Sequence, residues 1–576
     1  MTARATLTAV LLLSVSGLSP AWSEEAITIS DKKLFASTLE ASYQAYEFYG
    51  PVEDAETQER VRRIGYELAA QARFSDFPFT FFVVDMPVPN AFALPGGEIF
   101  VTSGMLALGL DDDMLACLLG HEIAHVVHRH GTRMQKRAAL IGLLSQALAI
   151  GVLASADDER PNPADPYSLY GIRASDGASK AETTAAVSLV LGQLLLLSYN
   201  REFETEADDE GQRLAAAAGY DPDGARRLWQ TMLERIPLNK AYGYWRTHPF
   251  EDSRMRAAEE RSKYLKIQEQ QGSGSLRETT QALLLEFGDA YFVKGDDEGL
   301  RLWLRERALD VWPQGAKAEA LRFERLHRLR RAEAEKPAMA RNYGAVVDAY
   351  RTQIEAVEAL TPRSPFLGRA TAEIAELRAT VERLYPEALK VLEGGVYETA
   401  FLEAFLGNYP DAPESTRVAM ALGNAYSRLR QPAAAVEQFL NAIEDGPGSP
   451  EAKKARLGLH NLASFLEDLS ALEQLTALAG DPELQELARA RLEEVASSYG
   501  DLANGAEYLR RYPDGTQVAA VTERLNALAE KLYTEVVVYQ GVGEHAKALD
   551  RMHQILTHAP QSPAADQLRQ RTDLDS

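Results

Sequence analysis

Two histidines separated by a glutamate and two apolar residues are the part of this sequence best suited to chemistry. They are His121 and His125, with Glu122 between them, in the apolar stretch 114–127. If this stretch is a helix, both histidines lie on one face, because residues four apart stand one above the other. The pattern H-E-x-x-H can hold one zinc ion, with the glutamate beside it as a general base. It therefore predicts a zinc peptidase site.

A catalytic zinc site needs a third protein ligand, and the sequence offers a candidate further along the chain. In the segment 199–208, Glu204 and Asp208 are four residues apart and would share a helix face. Glu204 is predicted to complete the ligand set. Asp208 is predicted to accept the free ring N–H of a ligating histidine, which fixes the tautomer of that ring.

The elements that must position these residues can be predicted from the spacing of apolar side chains. Helical periodicity extends over about 24–71, whereas 77–85 and 90–102 are rich in aromatic and β-branched residues, as strands are. Helices are predicted over about 112–129 and 202–218, and these would carry the zinc ligands. We expect a mainly α domain with a small β-sheet.

Three other side chains near the motif could approach a metal ion. His128 and His130 lie at the end of the predicted helix, where positive charge is favourable, so both are predicted to be structural. Because four of the ten histidines fall within 121–130, a spare metal-binding cluster is the competing interpretation. Cys117 is the single cysteine and is predicted to be a small buried apolar residue, although it lies one helical turn before His121.

Taken together, the motifs of this sequence resemble a known family. The chain is similar to the HtpX-like gluzincin metallopeptidases, which include the CAAX prenyl proteases and the periplasmic β-barrel assembly-enhancing proteases. The resemblance covers roughly 50–265 and implies an α+β gluzincin-type fold. One departure is Asn200, where many members have Ser. The matching motifs are N-A-F-A-L-P-G-G at 90–97, H-E-I-A-H at 121–125, R-x-x-E-x-E-A-D at 201–208 and H-P-x-x-x-x-R at 248–254.

The resemblance implies a role for each matching residue. His121, His125 and Glu204 would hold one Zn²⁺ per chain, and Glu122 would deprotonate the attacking water and later protonate the leaving amine. His248 would either stabilise the oxyanion or occupy the fourth zinc position in a latent state. The alternative interpretation is that His248 only caps a loop.

The resemblance also implies a partner for Arg254 and a place for the substrate. Arg254 would pair with Asp208 or an acid near it. The segment 90–101 would be an edge strand that pairs with extended substrate, through the substrate-binding residues Asn90, Ala91, Phe92 and Ala93.

Composition limits the class of protein. The 576 residues suggest three or four domain-sized units, and a net charge of −23 argues against a nucleic-acid partner. Residues 1–23 have the pattern of a cleavable signal peptide, so we expect a mature chain that starts at Glu24. An export signal and a single cysteine, which excludes an intrachain disulfide, favour a bacterial periplasm.

Two uncharged segments, 138–156 and 183–200, are close to the lower limit for membrane spans. The loop between them carries more acids than bases, against the charge bias expected of a cytoplasmic loop. We therefore predict two buried helices that act as a lid, or touch a membrane surface, in the region of about 138–200.

The C-terminal part of the chain has the composition of an all-α domain. We predict that the metallopeptidase domain spans 24–270, that 271–275 is a linker and that 276–576 forms a solenoid resembling tetratricopeptide repeats. One segment matches the repeat pattern closely and another weakly. The matching residues are Leu422, Gly423, Tyr426, Ala435, Phe439, Ala442 and Pro447 in the first, and Tyr539, Ala548 and Pro560 in the second.

These features predict an exported zinc endopeptidase. It would hydrolyse peptide bonds in unfolded or misassembled envelope proteins, and its repeats would dock an envelope protein partner or the substrate. The alternative is a chaperone or scaffold that acts through the repeats and has a latent, capped peptidase site.

Overall fold

The computed structural model describes residues 27–86, 89–134, 199–235, 244, 248–250, 252–270, 272–292, 298–395, 397–541 and 545–570. The predicted signal peptide lies outside the described residues, as does almost all of the predicted lid. The architecture is mainly α with one three-stranded sheet, followed by a long series of helices. This confirms the predicted fold class.

The sheet and the helices around it occupy the first part of the chain. The region predicted as helical over 24–71 contains two helices, because Gly50 has a φ of 73° and Pro51 follows it. The elements are α1 (Lys32–Tyr49), α2 (Ala55–Ala69), β1 (Thr80–Val84), β2 (Ala91–Ala93), β3 (Glu98–Thr102), α3 (Ser103–Leu106), α4 (Asp112–Val127), α5 (Arg201–Ala217), α6 (Gly224–Arg235) and α7 (Asp252–Ser262).

A ladder of aromatic rings crosses the sheet. Strand β1 pairs in parallel with β3, and β2 pairs antiparallel with β3 on its other side. Phe82, Phe100 and Phe92 occupy adjacent register positions, and their rings stack at centroid distances of 4.7 and 4.9 Å. Trp303, from the later helices, stacks on Phe82 at 5.8 Å. These cross-strand contacts hold the outer strand β2 in register.

The second part of the chain is helical. The ring of Phe439 packs between neighbouring helices, since a Cβ added at either Gly423 or Gly458 would lie 2.6 Å from it. The tetratricopeptide assignment remains a prediction. The helices are α8 (Gly274–Tyr291), α9 (Glu298–Val311), α10 (Ala318–Glu335), α11 (Tyr343–Leu360), α12 (Pro365–Gly394), α13 (Thr399–Asn408), α14 (Ser415–Arg428), α15 (Pro432–Asp445), α16 (Pro450–Ala463), α17 (Leu469–Thr476), α18 (Pro482–Ala496), α19 (Leu502–Arg511), α20 (Val518–Gly541), α21 (His545–His558) and α22 (Pro563–Gln570).

The two parts of the chain share a hydrophobic core. Helices α8 and α9 contribute buried side chains to the same cluster as the sheet. Arg277 of α8 forms an ion pair with Glu59 of α2 at 2.9 Å. At the other end of the chain, the ring of His553 lies 5.9 Å from that of Tyr49. The domain boundary at 271–275 remains a prediction. None of the helices within the described ranges has both the length and the hydropathy of a membrane span.

One acidic side chain, that of Glu98 at the start of β3, is buried next to this core. Glu98 is 1% exposed, and its Oε1 lies 3.1 Å from the hydroxyl oxygen of Thr38. The Thr38 hydroxyl also donates to the carbonyl of Phe35 at 3.0 Å. Burial raises the pKa of Glu98 to about 8. The neutral carboxyl can donate to the Thr38 oxygen, which leaves the Thr38 proton for the carbonyl.

We expect Glu98→Gln to remove a pH-dependent loss of stability. The folded protein holds a proton on Glu98 that the unfolded chain releases, so the wild type should lose stability relative to the variant as pH rises from about 5 to about 8. The loss is at most about 5 kcal/mol. Urea unfolding at several pH values would measure the free energy of unfolding. Glu278→Gln, which replaces an exposed carboxylate, is the control. Parallel curves for the wild type and Glu98→Gln would contradict the prediction.

Candidate active site

Helices α4 and α5 cross at very short distance. A Cβ added at Gly120 would lie 2.6 Å from the carbonyl oxygen of Gly211, and one added at Gly211 would lie 2.7 Å from the backbone nitrogen of His121. Ala124 and Ala207, one turn away on each helix, are fully buried. Only small residues allow two helix backbones to approach so closely. The crossing brings Glu204 of α5 within reach of the two histidines of α4.

Each of the two helices begins at a side chain that caps it. Asp111 accepts a hydrogen bond from the backbone N–H of Met114 at 2.8 Å, and Asn200 accepts one from Phe203 at 2.9 Å. Asn and Ser are about equally effective at this position. Asn200, where the sequence departs from the resembled family, therefore preserves the helix start.

Three imidazoles and one carboxylate converge between these helices. His121 Nε2 lies 3.0 Å from His125 Nε2 and 3.2 Å from His248 Nδ1. Glu204 Oε1 lies 3.1 Å from His248 Nδ1 and 3.5 Å from His125 Nε2. A tetrahedron with zinc–ligand bonds of about 2.0–2.1 Å has corners about 3.3–3.4 Å apart. The donor spacing therefore fits one zinc ion.

The chemistry of the donors fits zinc as well. Burial lowers the pKa of His121 and places the pKa values of His125 and His248 well below the ordinary value, so the rings are neutral and keep a lone pair. Burial raises the pKa of Glu204 to about 7, against the effect of the nearby guanidinium. All four side chains are at most 2% exposed. Neutral imidazoles and a carboxylate are the ligands of catalytic zinc.

A buried arginine joins the acids behind the donors. Arg254 Nε and Nη2 each donate to a carboxylate oxygen of Asp208 at 2.7 Å, and Arg254 Nη1 lies 2.6 Å from Glu204 Oε2. Asp208 Oδ1 lies 3.0 Å from His121 Nδ1. Burial alone would raise the pKa of Asp208, but Arg254 and His121 hold it well below its usual range. Asp208 is therefore an anion that can orient the His121 ring.

Glu122 lies beside the donors without belonging to them. Neither of its carboxylate oxygens has a hydrogen-bond partner among the described residues, and the side chain is fully buried. His248 Nε2 lies 3.6 Å from Glu122 Oε1. Burial and the charge of Glu204 raise the pKa of Glu122 well above its ordinary value. An unpaired buried carboxyl with a raised pKa suits proton transfer.

The predicted substrate strand lies beside this site. Strand β2 packs against α4, and the carbonyl of Pro89, just before it, accepts from the N–H of Tyr244 at 3.1 Å. Flanking hydrogen bonds join Asn90 to Thr102 and Leu94 to Glu98, so the backbone groups at 91 and 93 point away from β3. The Ala91 N–H donates to the side chain of Asn90 at 3.0 Å.

Several side chains at the site are not among the predicted site residues. The ring of Tyr199 stacks on His125 at 3.9 Å, and that of Tyr244 stacks on His248 at 4.4 Å. His130 Nδ1 lies 2.8 Å from His125 Nδ1, and Glu206 Oε2 lies 2.8 Å from His130 Nε2. Glu206 is two residues after Glu204, on a different side of an ideal helix, so periodicity does not associate it with the zinc ligands.

Comparison with known proteins agrees with this geometry. Residues 55–262 match the model of Peptidase family M48, which is zinc-dependent. Mitochondrial metalloendopeptidase OMA1 of Schizosaccharomyces pombe is 32% identical over 35% of this chain and 51% of its own length. The β-barrel assembly-enhancing proteases of Escherichia coli K12 and Yersinia pestis are 23% and 25% identical, over 54% and 73% of this chain and 60% and 77% of their own lengths.

These matches confirm the predicted resemblance, the metallopeptidase class and the zinc cofactor, for which the cluster of His121, His125, Glu204 and His248 is suited. The chain spans about half of the length of the first relative. The individual roles of the site residues remain predictions.

We expect Gly211→Ala to separate α4 from α5. The added methyl would overlap the backbone of His121, so the helices must move apart at a cost of about 1–3 kcal/mol or more, and zinc affinity should fall. Thermal unfolding and zinc titration would measure both effects. Gly368→Ala is the matched control, since a Cβ there meets nothing within 4 Å. Wild-type zinc affinity in Gly211→Ala would show that the close crossing is unnecessary.

Proposed function

We propose that this chain, which carries a Peptidase family M48 domain at residues 55–262, is an exported zinc endopeptidase that cleaves unfolded or misassembled envelope proteins. The observation that carries the proposal is the buried three-histidine, one-glutamate cluster with the unpaired Glu122 beside it. A structural zinc site would need no such carboxyl. A protein that only binds partners would have no reason to bury one.

In this proposal His121, His125 and Glu204 hold the zinc, which when bound polarises the scissile carbonyl and makes water more acidic. Glu122 takes a proton from the attacking water and later gives it to the leaving amine. Asp208 fixes the His121 tautomer. Arg254 balances the charge of two buried carboxylates, which would otherwise repel each other and the developing negative charge.

Strand β2 would bind the substrate through its backbone. The outward groups at Ala91 and Ala93 can pair with an extended segment, and the Asn90 side chain holds the Ala91 N–H until substrate arrives. Phe92 anchors the strand to the sheet, because its ring stacks on that of Phe100 in β3. Because backbone pairing reads exposure more than side-chain identity, it suits the selection of unfolded polypeptides.

The proposed setting rests on the sequence and on two relatives. The predicted signal peptide favours a periplasmic protein, and two relatives are named β-barrel assembly-enhancing proteases, so we propose a role in outer-membrane protein assembly. The helical series after 276 would dock a partner or the substrate through tetratricopeptide-like repeats. Contact with a membrane surface would come from the region 138–200.

One observation supports the alternative, a chaperone or scaffold with a capped site. This observation is the position of His248. Its Nδ1 occupies the fourth corner of the donor set, where a catalytic site keeps a place for water. We propose that this arrangement is a resting state, and that His248 leaves the donor set when the enzyme works.

We expect Glu122→Gln to keep one zinc per chain and lose cleavage of casein by about 10²–10⁴-fold, because the general base is gone and the ligands remain. Metal analysis and a casein assay would measure this. Glu202→Gln, an exposed residue of α5, is the matched control. Equal cleavage by Glu122→Gln would remove Glu122 from the mechanism, and a wild type without zinc would refute the proposed function.

We expect His248→Ala to raise casein cleavage several-fold while one zinc per chain is retained, because three ligands remain and the fourth position opens. His327→Ala, on α10, controls for the loss of a histidine elsewhere. A fall in cleavage of tenfold or more would instead assign His248 to oxyanion stabilisation, the other role that the resemblance implies.

A further inference from the structure

A chain of hydrogen bonds runs from His125 to a carboxylate that is not part of the donor cluster. His125 Nδ1 lies 2.8 Å from His130 Nδ1, and His130 Nε2 lies 2.8 Å from Glu206 Oε2. Arg133 Nη1 donates to the same Glu206 oxygen at 3.1 Å. His130 is fully buried, so bulk water does not compete for either of its ring nitrogens.

The contacts define the positions of the protons along this series of hydrogen bonds. His125 Nε2 faces the donor cluster and needs a lone pair to bind metal, so the ring proton is on Nδ1. That proton is donated to His130 Nδ1, which must be unprotonated. The His130 proton is then on Nε2 and is donated to Glu206. Each ring nitrogen is thus either a donor or an acceptor in this series of hydrogen bonds. The series ends on the Glu206 carboxylate, which Arg133 holds.

The backbone turns back at the right place to form this contact. Helix α4 ends at Val127, and Arg129 has a φ of 54°, in the left-handed region. The backbone changes direction at Arg129, and His130 lies against His125 in the last turn of α4. The His130 ring stacks on Phe203 of α5 at 4.3 Å with an interplanar angle of 8°, which sets its orientation.

We propose that His130 and Glu206 are positioning residues that hold His125 in its zinc-binding tautomer and orientation. The two histidine ligands of α4 are then oriented in different ways: His121 directly by Asp208, and His125 by Glu206 through the intervening ring. A carboxylate behind a histidine ligand raises its basicity and fixes its tautomer. The proposal rests on the proposed function only in requiring that His125 bind zinc.

This arrangement argues against a spare metal site at His130. Both of its ring nitrogens are within 2.8 Å of a protein partner, one at His125 and one at Glu206. A second ion would have to break both hydrogen bonds. The histidine-rich segment 121–130 is therefore assigned to one zinc ion and to the orientation of one of its ligands.

The test is the zinc dissociation constant of the full-length protein, measured by competition with a chromogenic chelator. His130→Phe keeps the stack on Phe203 and removes both hydrogen bonds, so we expect its constant to rise about 10–100-fold. His130→Gln supplies one acceptor and one donor and should recover part of the loss. Glu206→Gln should give a smaller rise than His130→Phe, and Glu202→Gln should have no effect.

The melting temperature of the metal-free protein separates orientation of the ligand from a purely structural role. Unchanged melting with weakened zinc binding supports the proposal. If His130→Phe lowers the melting temperature, Glu206→Gln decides, since this half-buried carboxylate can be replaced without opening the core. Wild-type zinc affinity in Glu206→Gln and in any folded His130→Phe protein would overturn the proposal.

His125→Ala distinguishes this failure from failure of the proposed function. If the wild type binds one zinc and His125→Ala does not, the zinc site stands, and the outcome for His130 concerns positioning alone. If His125→Ala binds zinc as tightly as the wild type, His125 is not a ligand, and both the ligand assignment and the positioning proposal are refuted.

Discussion

The contact between Gly120 and Gly211 is the constraint on which the rest of the site depends. Zinc ligands must lie about 2 Å from a common point, so the backbones that carry them must approach closely. Two helices with ordinary side chains at the crossing lie about 8–10 Å apart. Glycine at the crossing point, with alanine one turn away on each helix, removes the side chains that would separate them. Glu204 then reaches the histidines of α4.

Close packing also creates the electrostatic problem that the site has to solve. Three carboxylates are buried at the crossing of two helices, Glu122 on α4 and Glu204 and Asp208 on α5. Arg254 forms ion pairs with Glu204 and Asp208, whereas burial and the charge of Glu204 raise the pKa of Glu122 well above its ordinary value. Burial and selective pairing thus give three similar groups different environments, which suit the roles proposed for them: a ligand, an anion that orients a ring, and an acid that moves protons.

The helical half of the chain contributes to the site from a distance. The rings of Phe92, Phe100, Phe82 and Trp303 form a continuous stack from the outer strand β2 to α9. The edge strand proposed to bind substrate is therefore braced by a residue that lies far along the chain. At the other end, His553 of α21 contacts Tyr49 of α1, so the described chain returns to the first helix. Both contacts join the helical series to the part of the chain that contains the sheet.

The sequence by itself determined the helix with His121 and His125, the later helix with Glu204 and Asp208, and the mainly α fold, because residues four apart share a helix face whatever surrounds them. Contacts between separate elements could not be read in this way. Only the tertiary structure decided that His248 lies at the fourth donor position. It also decided that His130 turns back onto His125 after Arg129. These features depend on the direction of the chain after each helix ends, which no periodic pattern records.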